Sequence, residues 1–184
     1  MRVIAGTAGG IRLDVPKRDV RPTMDRVKAA IFSSLGDAVI GANVLDLFAG
    51  TGALGIEALS RGAASARFVD HDRRAVAAIE ANLVRTKFAG RVVQRDVFEF
   101  LRRPVSSETF DIIFADPPYE RTSGDESFTE LLLGNDGLAE MTKTLGTFVL
   151  EKAPSEKTPK STRWRITRAK KYGATEVLFL QRAS

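Results

Sequence analysis

Asp116-Pro117-Pro118-Tyr119 stands where the apolar run Phe110–Ala115 stops. Two consecutive prolines donate no backbone hydrogen bond and hold φ near about −65°, so they end a central strand and leave its last carbonyls facing outward. The edge so formed only accepts hydrogen bonds. A backbone carbonyl beside the Asp116 carboxylate can grip both hydrogens of a planar amine, and the Tyr119 ring can stack on the aromatic ring that carries that amine. Prolines after a strand are also a plain strand stop, so this reading needs a second pattern.

That pattern lies in Asn43-Val44-Leu45-Asp46-Leu47-Phe48-Ala49-Gly50-Thr51-Gly52-Ala53-Leu54-Gly55, which reads as strand, glycine turn and helix. The run 44–48 has the length of a buried parallel strand, and 54–59 supply apolar residues at helical spacing before Arg61-Gly62 closes the helix. Gly50 and Gly52 permit a tight turn and close approach to a ligand, with the helix N-terminus behind them. The segment Gly50-Thr51-Gly52-Ala53-Leu54-Gly55 also satisfies the dinucleotide pattern G-x-G-x-x-G, and Asp70 follows near the spacing of a ribose contact. Against that, Asp46 just ahead of the glycines suits an ammonium group better than a pyrophosphate. Acidic residues end four successive apolar runs, at Asp46, Asp70, Asp96 and Asp116. All four are expected at the carboxyl edge of one parallel sheet, where open α/β sheets bind ligands. Each alone is equally a helix cap. Together they favour a cationic cofactor, S-adenosyl-L-methionine.

The 184 residues suffice for one α/β domain with a small appendage. There is no cysteine and a single histidine, which excludes disulfides, thiolate chemistry and a multi-histidine zinc site; no metal is expected. His71 reads as an exposed loop residue beside the cofactor, not as a catalyst. No apolar stretch reaches the roughly 20 residues that span a bilayer, and the first residues resemble no signal peptide. A cytoplasmic protein is expected. The net charge of +5 is uneven: residues 1–30 carry seven basic against three acidic groups, residues 151–184 nine against three, and the middle is left at −5. An acidic centre between two basic ends suits a polyanion lying across the mouth of the site.

The elements that must position these groups follow in order. Residues 1–20 read as a glycine-turned β-hairpin appendage and 21–184 as the main domain. Thr23 is expected to cap a helix reaching Leu35, with Val27, Ala30, Ile31 and Leu35 as its apolar stripe. Strands then alternate with helices at Ala53–Ser60, Arg73–Thr86 and Val97–Arg102, which implies a parallel sheet. The polar loop 120–126 has the composition of a segment that closes over a substrate. Residues 147–151 read as a further strand, and 164–169 and 176–180 as a hairpin around Lys171-Tyr172-Gly173-Ala174.

The glycine motif through Ile56-Glu57-Ala58-Leu59-Ser60-Arg61-Gly62-Ala63, the tetrapeptide, Arg2-Val3-Ile4-Ala5-Gly6 and Arg21-Pro22-Thr23-Met24-Asp25-Arg26-Val27 together resemble the RsmD-type small-subunit ribosomal RNA guanine-N(2)-methyltransferases. The resemblance implies an α/β Rossmann-like methyltransferase fold, with a seven-stranded, mostly parallel sheet, helices on both faces and the last strand pair antiparallel. It implies S-adenosyl-L-methionine held by Asp46, Phe48, Gly50, Gly52, Asp70 (ribose), His71, Asp96 (adenine amine), Val97 and Asp116. Catalysis falls to Asp116, Pro117, Pro118 and Tyr119, and RNA binding to Arg12, Arg21, Thr23, Arg26 and Lys28. The implied substrate is a guanine of 16S ribosomal RNA in an assembled or assembling 30S subunit, met by a monomer without a membrane. Three other readings stay open: methylation of an adenine amine or protein glutamine, a nicotinamide-dependent oxidoreductase, and a non-enzymatic RNA-binding factor.

Overall fold

A computed structural model describes residues 1–15, 23–102, 108–118 and 127–183. The chain runs α1 (Thr23–Leu35), a short 3-10 turn (Gly36–Val39), β1 (Asn43–Leu47), α2 (Ala53–Ser60), β2 (Ser65–Asp70), α3 (Arg73–Thr86), β3 (Arg91–Gln94), α4 (Val97–Arg102), β4 (Phe110–Ala115), α5 (Phe128–Leu133), α6 (Asp136–Met141), β5 (Thr142–Lys152), β6 (Trp164–Tyr172) and β7 (Thr175–Arg182). The strands form a seven-stranded sheet in the order β3-β2-β1-β4-β5-β7-β6. β1 pairs in parallel with β2 and β4, β2 with β3, and β4 with β5; β7 runs antiparallel to both its neighbours. The expected mostly parallel sheet with an antiparallel last pair is therefore present.

Alternation along the central strands assigns the helices to their faces. Val44, Phe68, Ile112, Phe114 and Val149 face one core, which α1, α2 and α3 close with Val27, Ile31, Phe32, Ile56, Ile79 and Leu83. Leu45, Leu47, Val69, Ile113, Phe148 and Leu150 face the other, closed by α4, α5 and α6 through Phe100, Leu101, Leu132, Leu138 and Met141. Both faces are thus covered, which is why β1 and β4 read as continuous apolar runs.

Residues 1–15 fold back on themselves through one antiparallel bridge, Arg2 with Arg12, and through backbone hydrogen bonds from Val3 N to the Ile11 carbonyl and from Gly10 N to the Val3 carbonyl, each 2.9 Å. Val3, Ala8 and Leu13 belong to the first core. Gly6, at φ 83°, lies so close to the end of α2 that an added Cβ would meet the Ser60 carbonyl oxygen at 1.8 Å. The segment is a lid on the core, made to fit by its glycine. β5 begins at Thr142, five residues before the expected strand. Lys143, Thr144 and the exposed Leu145 break the apolar alternation there, and the register shifts between Phe110 and Ile112. Among the described residues no helix is long and apolar enough to cross a membrane.

Candidate active site

The sheet order reverses between β1 and β4, whose neighbours on either side are β2 and β5. Open α/β sheets have their ligand crevice at such a reversal, above the carboxyl ends of the strands. β1 ends at Leu47, and Phe48 adopts φ 54°, a left-handed conformation that costs a non-glycine residue energy and marks a constrained site. Gly50 and Gly52 also have positive φ, 55° and 74°. At Gly52 a Cβ would press on Ile56 and Ile79 at 3.3 Å, so both backbone angle and packing call for glycine where the turn feeds α2.

Carboxylates fasten this turn. Asp46 is 2% exposed and accepts the Gly55 N–H at 2.9 Å. Asp70 accepts from Gly50 N at 2.8 Å and from Asp72 N at 2.9 Å. A carboxylate offers about four acceptor positions, so Asp70 retains capacity for a ligand hydroxyl. Asp96 is exposed, and its Oδ1 caps α4 by accepting from Phe98 N and Glu99 N at 2.9 and 3.0 Å. Its other oxygen is not required for the cap. His71 is exposed, with Nδ1 3.7 Å from Asp70 Oδ1, and Val97 is buried in the second core. The Phe48 ring meets Phe98 edge-on at 6.2 Å and Phe128 at 5.4 Å, an apolar wall beside Asp96.

On the other side of the crevice, Asp116, Pro117 and Pro118 follow the end of β4. Ala115 pairs with Leu150, so the next residues in register are Asp116 and Glu151. By alternation Asp46, Asp116 and Glu151 share the face covered by α1 to α3. Burial pushes the Glu151 carboxyl well above its ordinary value, with the charges of Asp116 and Asp46 adding to the rise. Burial does the same to Asp46, opposed by the Gly55 N–H and reinforced by Asp116 and Asp70. Burial and like charge thus disfavour ionisation of Asp46 and Glu151, and a cation bound beside them would oppose both shifts. Glu151 was absent from the residues expected here. Its signal was the one that marked the other four: an acidic residue closing an apolar run, Val149-Leu150.

The carboxylates suit a cationic cofactor, and the strand order brings Asp46, Phe48, Gly50, Gly52, Asp70, Asp96, Val97 and Asp116 to the carboxyl edge of one sheet. Against a dinucleotide, the buried Asp46 carboxylate occupies the first turn of α2, where a pyrophosphate would be repelled. Tyr119 and the loop 120–126 lie outside the described residues, as does Arg21. Thr23 opens α1. Arg12 and Arg26 are exposed. Lys28 is not available to RNA: it is 4% exposed, lies 3.3 Å from Glu57 Oε2 and donates to the Arg2 carbonyl at 2.6 Å. Burial lowers its amine from the ordinary lysine value, while Glu57 opposes that shift. Glu57, wholly buried, also receives the Ile4 and Ala5 N–H groups and Arg61 Nε. Lys28 thus ties α1 to the N-terminal lid and α2. Among the described residues no cluster suits a metal ion.

Comparison with known proteins agrees with this fold. The family model described as "Conserved hypothetical protein 95" matches residues 1–181. The chain is 39% identical over 142 residues to Ribosomal RNA small subunit methyltransferase D of Escherichia coli strain K12, covering 76% of this chain and 70% of that one. It is 45% identical over 125 residues to the putative rRNA methyltransferase YlbH of Bacillus subtilis strain 168, covering 65% and 67%. The solved structure of the putative methyltransferase yhhF from Escherichia coli superposes with a TM-score of 0.82 at 33% identity, covering 100% of this chain and 98% of that one.

Proposed function

The chain belongs to the family described as "Conserved hypothetical protein 95", and from that membership and the geometry of the crevice we propose that it methylates the 2-amino group of a guanine in small-subunit ribosomal RNA. The observation that carries the reading is the seating of Asp116-Pro117-Pro118 at the end of β4, in register with Glu151 and on the same sheet face as buried Asp46. S-adenosyl-L-methionine, when bound, supplies an electrophilic methyl group and positive charge. Asp46, Glu151 and Asp116 furnish the negative surroundings that such a charge requires, Gly50 and Gly52 the close backbone, and Asp70 and Asp96 acceptors for hydroxyl and amine groups.

The rest is done by the tetrapeptide. A guanine 2-amino group is a poor nucleophile because its lone pair is conjugated with the ring, so holding it in line is the main requirement. The Asp116 carboxylate and the Pro117 carbonyl accept its two N–H bonds. As the new carbon–nitrogen bond forms, the nitrogen becomes cationic and these hydrogen bonds strengthen, which stabilises the transition state more than the bound substrate. Asp116 then takes one proton and the neutral secondary amine remains. A base must leave its stack to reach this point, and Tyr119 replaces part of the lost stacking. The substrate is ribosomal RNA in an assembled or assembling 30S subunit, met in the cytoplasm by a monomer.

Asp116→Ala tests this reading. Methyl transfer should fall at least about a thousandfold, a loss of roughly 4 kcal/mol of transition-state stabilisation, while S-adenosylmethionine affinity measured by calorimetry falls by no more than about tenfold. Retained transfer would sink the proposal.

A further inference from the structure

Edge strand β6 carries Arg165, Arg168, Lys170 and Lys171, all exposed. In a regular strand residues 165 and 168 would point to opposite faces. The register shifts between Ile166 and Arg168, leaving Thr167 as the extra residue: Arg165 pairs with Gln181, Arg168 with Phe179 and Lys170 with Val177. Directly paired residues of antiparallel strands share a face. Arg165, Arg168 and Lys170 therefore stand in one row, on the side of Val177 and Phe179, which is the side of the first core. Glu151 also pairs with Val177. The row thus lies on the same sheet face as Asp46, Asp116 and Glu151, and its Lys170 end is level with the site. About three strand spacings, roughly 14 Å, separate Lys170 from Asp116.

Among the described residues none of these three cations forms an ion pair. Arg165 donates to Gln181 Oε1 at 3.2 Å and Lys170 to Ser34 Oγ at 3.4 Å. The acidic residue of the neighbouring strand, Glu176, is taken by buried Lys152 at 2.9 Å and is in register with Lys171 on the opposite face. Bulges occur where a strand must re-aim its side chains, and this one converts scattered cations into a one-sided stripe.

We propose that the bulge at Thr167 aligns Arg165, Arg168 and Lys170 as a track for the sugar–phosphate backbone of the substrate RNA, leading along β6 toward the crevice at Asp116. The inference rests on the functional reading above and adds to it the surface that holds the polyanion. Contacts of this kind act through phosphates, so they set affinity and its salt dependence without choosing the base.

The test is the triple variant Arg165→Gln, Arg168→Gln, Lys170→Gln, with Lys171→Gln as the opposite-face control. Binding is titrated over a salt series with transcribed small-subunit ribosomal RNA and with unmodified small subunits. The triple variant should bind naked RNA at least tenfold more weakly at low salt, with a log–log salt slope shallower by about 2. Its S-adenosylmethionine affinity and melting temperature should be unchanged, and Lys171→Gln should change RNA affinity less than twofold. Unchanged RNA affinity and slope in the triple variant, or an equal loss in the control, would overturn the track. A loss on assembled subunits but not on naked RNA would assign the stripe to a ribosomal protein and overturn it as well. Failure of the wild type to transfer methyl groups, with the stripe effect intact, would instead count against the functional reading alone.

Discussion

The two basic ends of the chain put their charge to opposite uses. Near the N-terminus Lys28 turns inward, where buried Glu57, itself held by two backbone N–H groups and Arg61, makes it a clamp between α1, α2 and the first fifteen residues. Near the C-terminus Arg165, Arg168 and Lys170 turn outward in one row on an edge strand. Lys152 follows the inward pattern within that same end, sealed against Glu176 and donating to the carbonyls of Ala153 and Glu156. A regional excess of positive charge therefore says little about where a polyanion lies. What decides is which face each cation occupies and whether a carboxylate already holds it.

The largest effect that would sharpen this contrast is at Lys28. Lys28→Met leaves Glu57 with one cation fewer in a buried place, and should lower folding stability by about 3 kcal/mol in denaturant titration. RNA affinity of the folded variant should match the wild type; a selective loss of RNA binding without destabilisation would break the contrast.

Glu151→Gln comes next. The folded-state value of this carboxyl is raised by burial and by Asp116 and Asp46. Its contribution to stability is then fully present below the ordinary carboxyl value of about 4.3 and is lost as pH rises through the folded value. The glutamine variant should accordingly be more stable than the wild type at alkaline pH. Binding of a cationic cofactor runs the other way, strengthening as the carboxyl ionises. Calorimetry should show S-adenosylmethionine affinity of the wild type rising with pH, and the variant weaker by about tenfold, or 1.4 kcal/mol, with a flatter profile. Identical profiles would remove Glu151 from the cofactor's surroundings.

The smallest expected effect is at exposed Arg26, where neutralisation to Gln should cut the RNA salt slope by about 0.7, one phosphate's worth, with cofactor affinity intact. No change in slope would confine the polyanion to the β6 side.

Much of this is legible in the sequence. β1 and β4 announce themselves because strands covered on both faces must be apolar throughout, and the glycine turn and paired prolines punctuate them. The helices Ala53–Ser60, Arg73–Thr86 and Val97–Arg102 fall where their periodicity places them. Lys28 could also have been placed: it precedes Ile31 by three residues and Phe32 by four, on the buried face of α1, and only its charge argued otherwise. Glu151 was visible as an acidic strand end, yet its importance comes from lying beside Asp116, a neighbour that only the β4–β5 register supplies. The β6 stripe was out of reach for a similar reason. A bulge is a property of a pairing, and read alone the strand places residues 165 and 168 on opposite faces.

The identity of the methylated group tests the account most directly. Unmodified small subunits are incubated with the protein and S-adenosylmethionine, the RNA is digested, and the nucleosides and ribosomal proteins are analysed by mass spectrometry. N(2)-methylguanosine at a single position, with no new methylation of protein, is the expected result. Methyladenosine, methylated glutamine, or no transferred methyl group at all would contradict it.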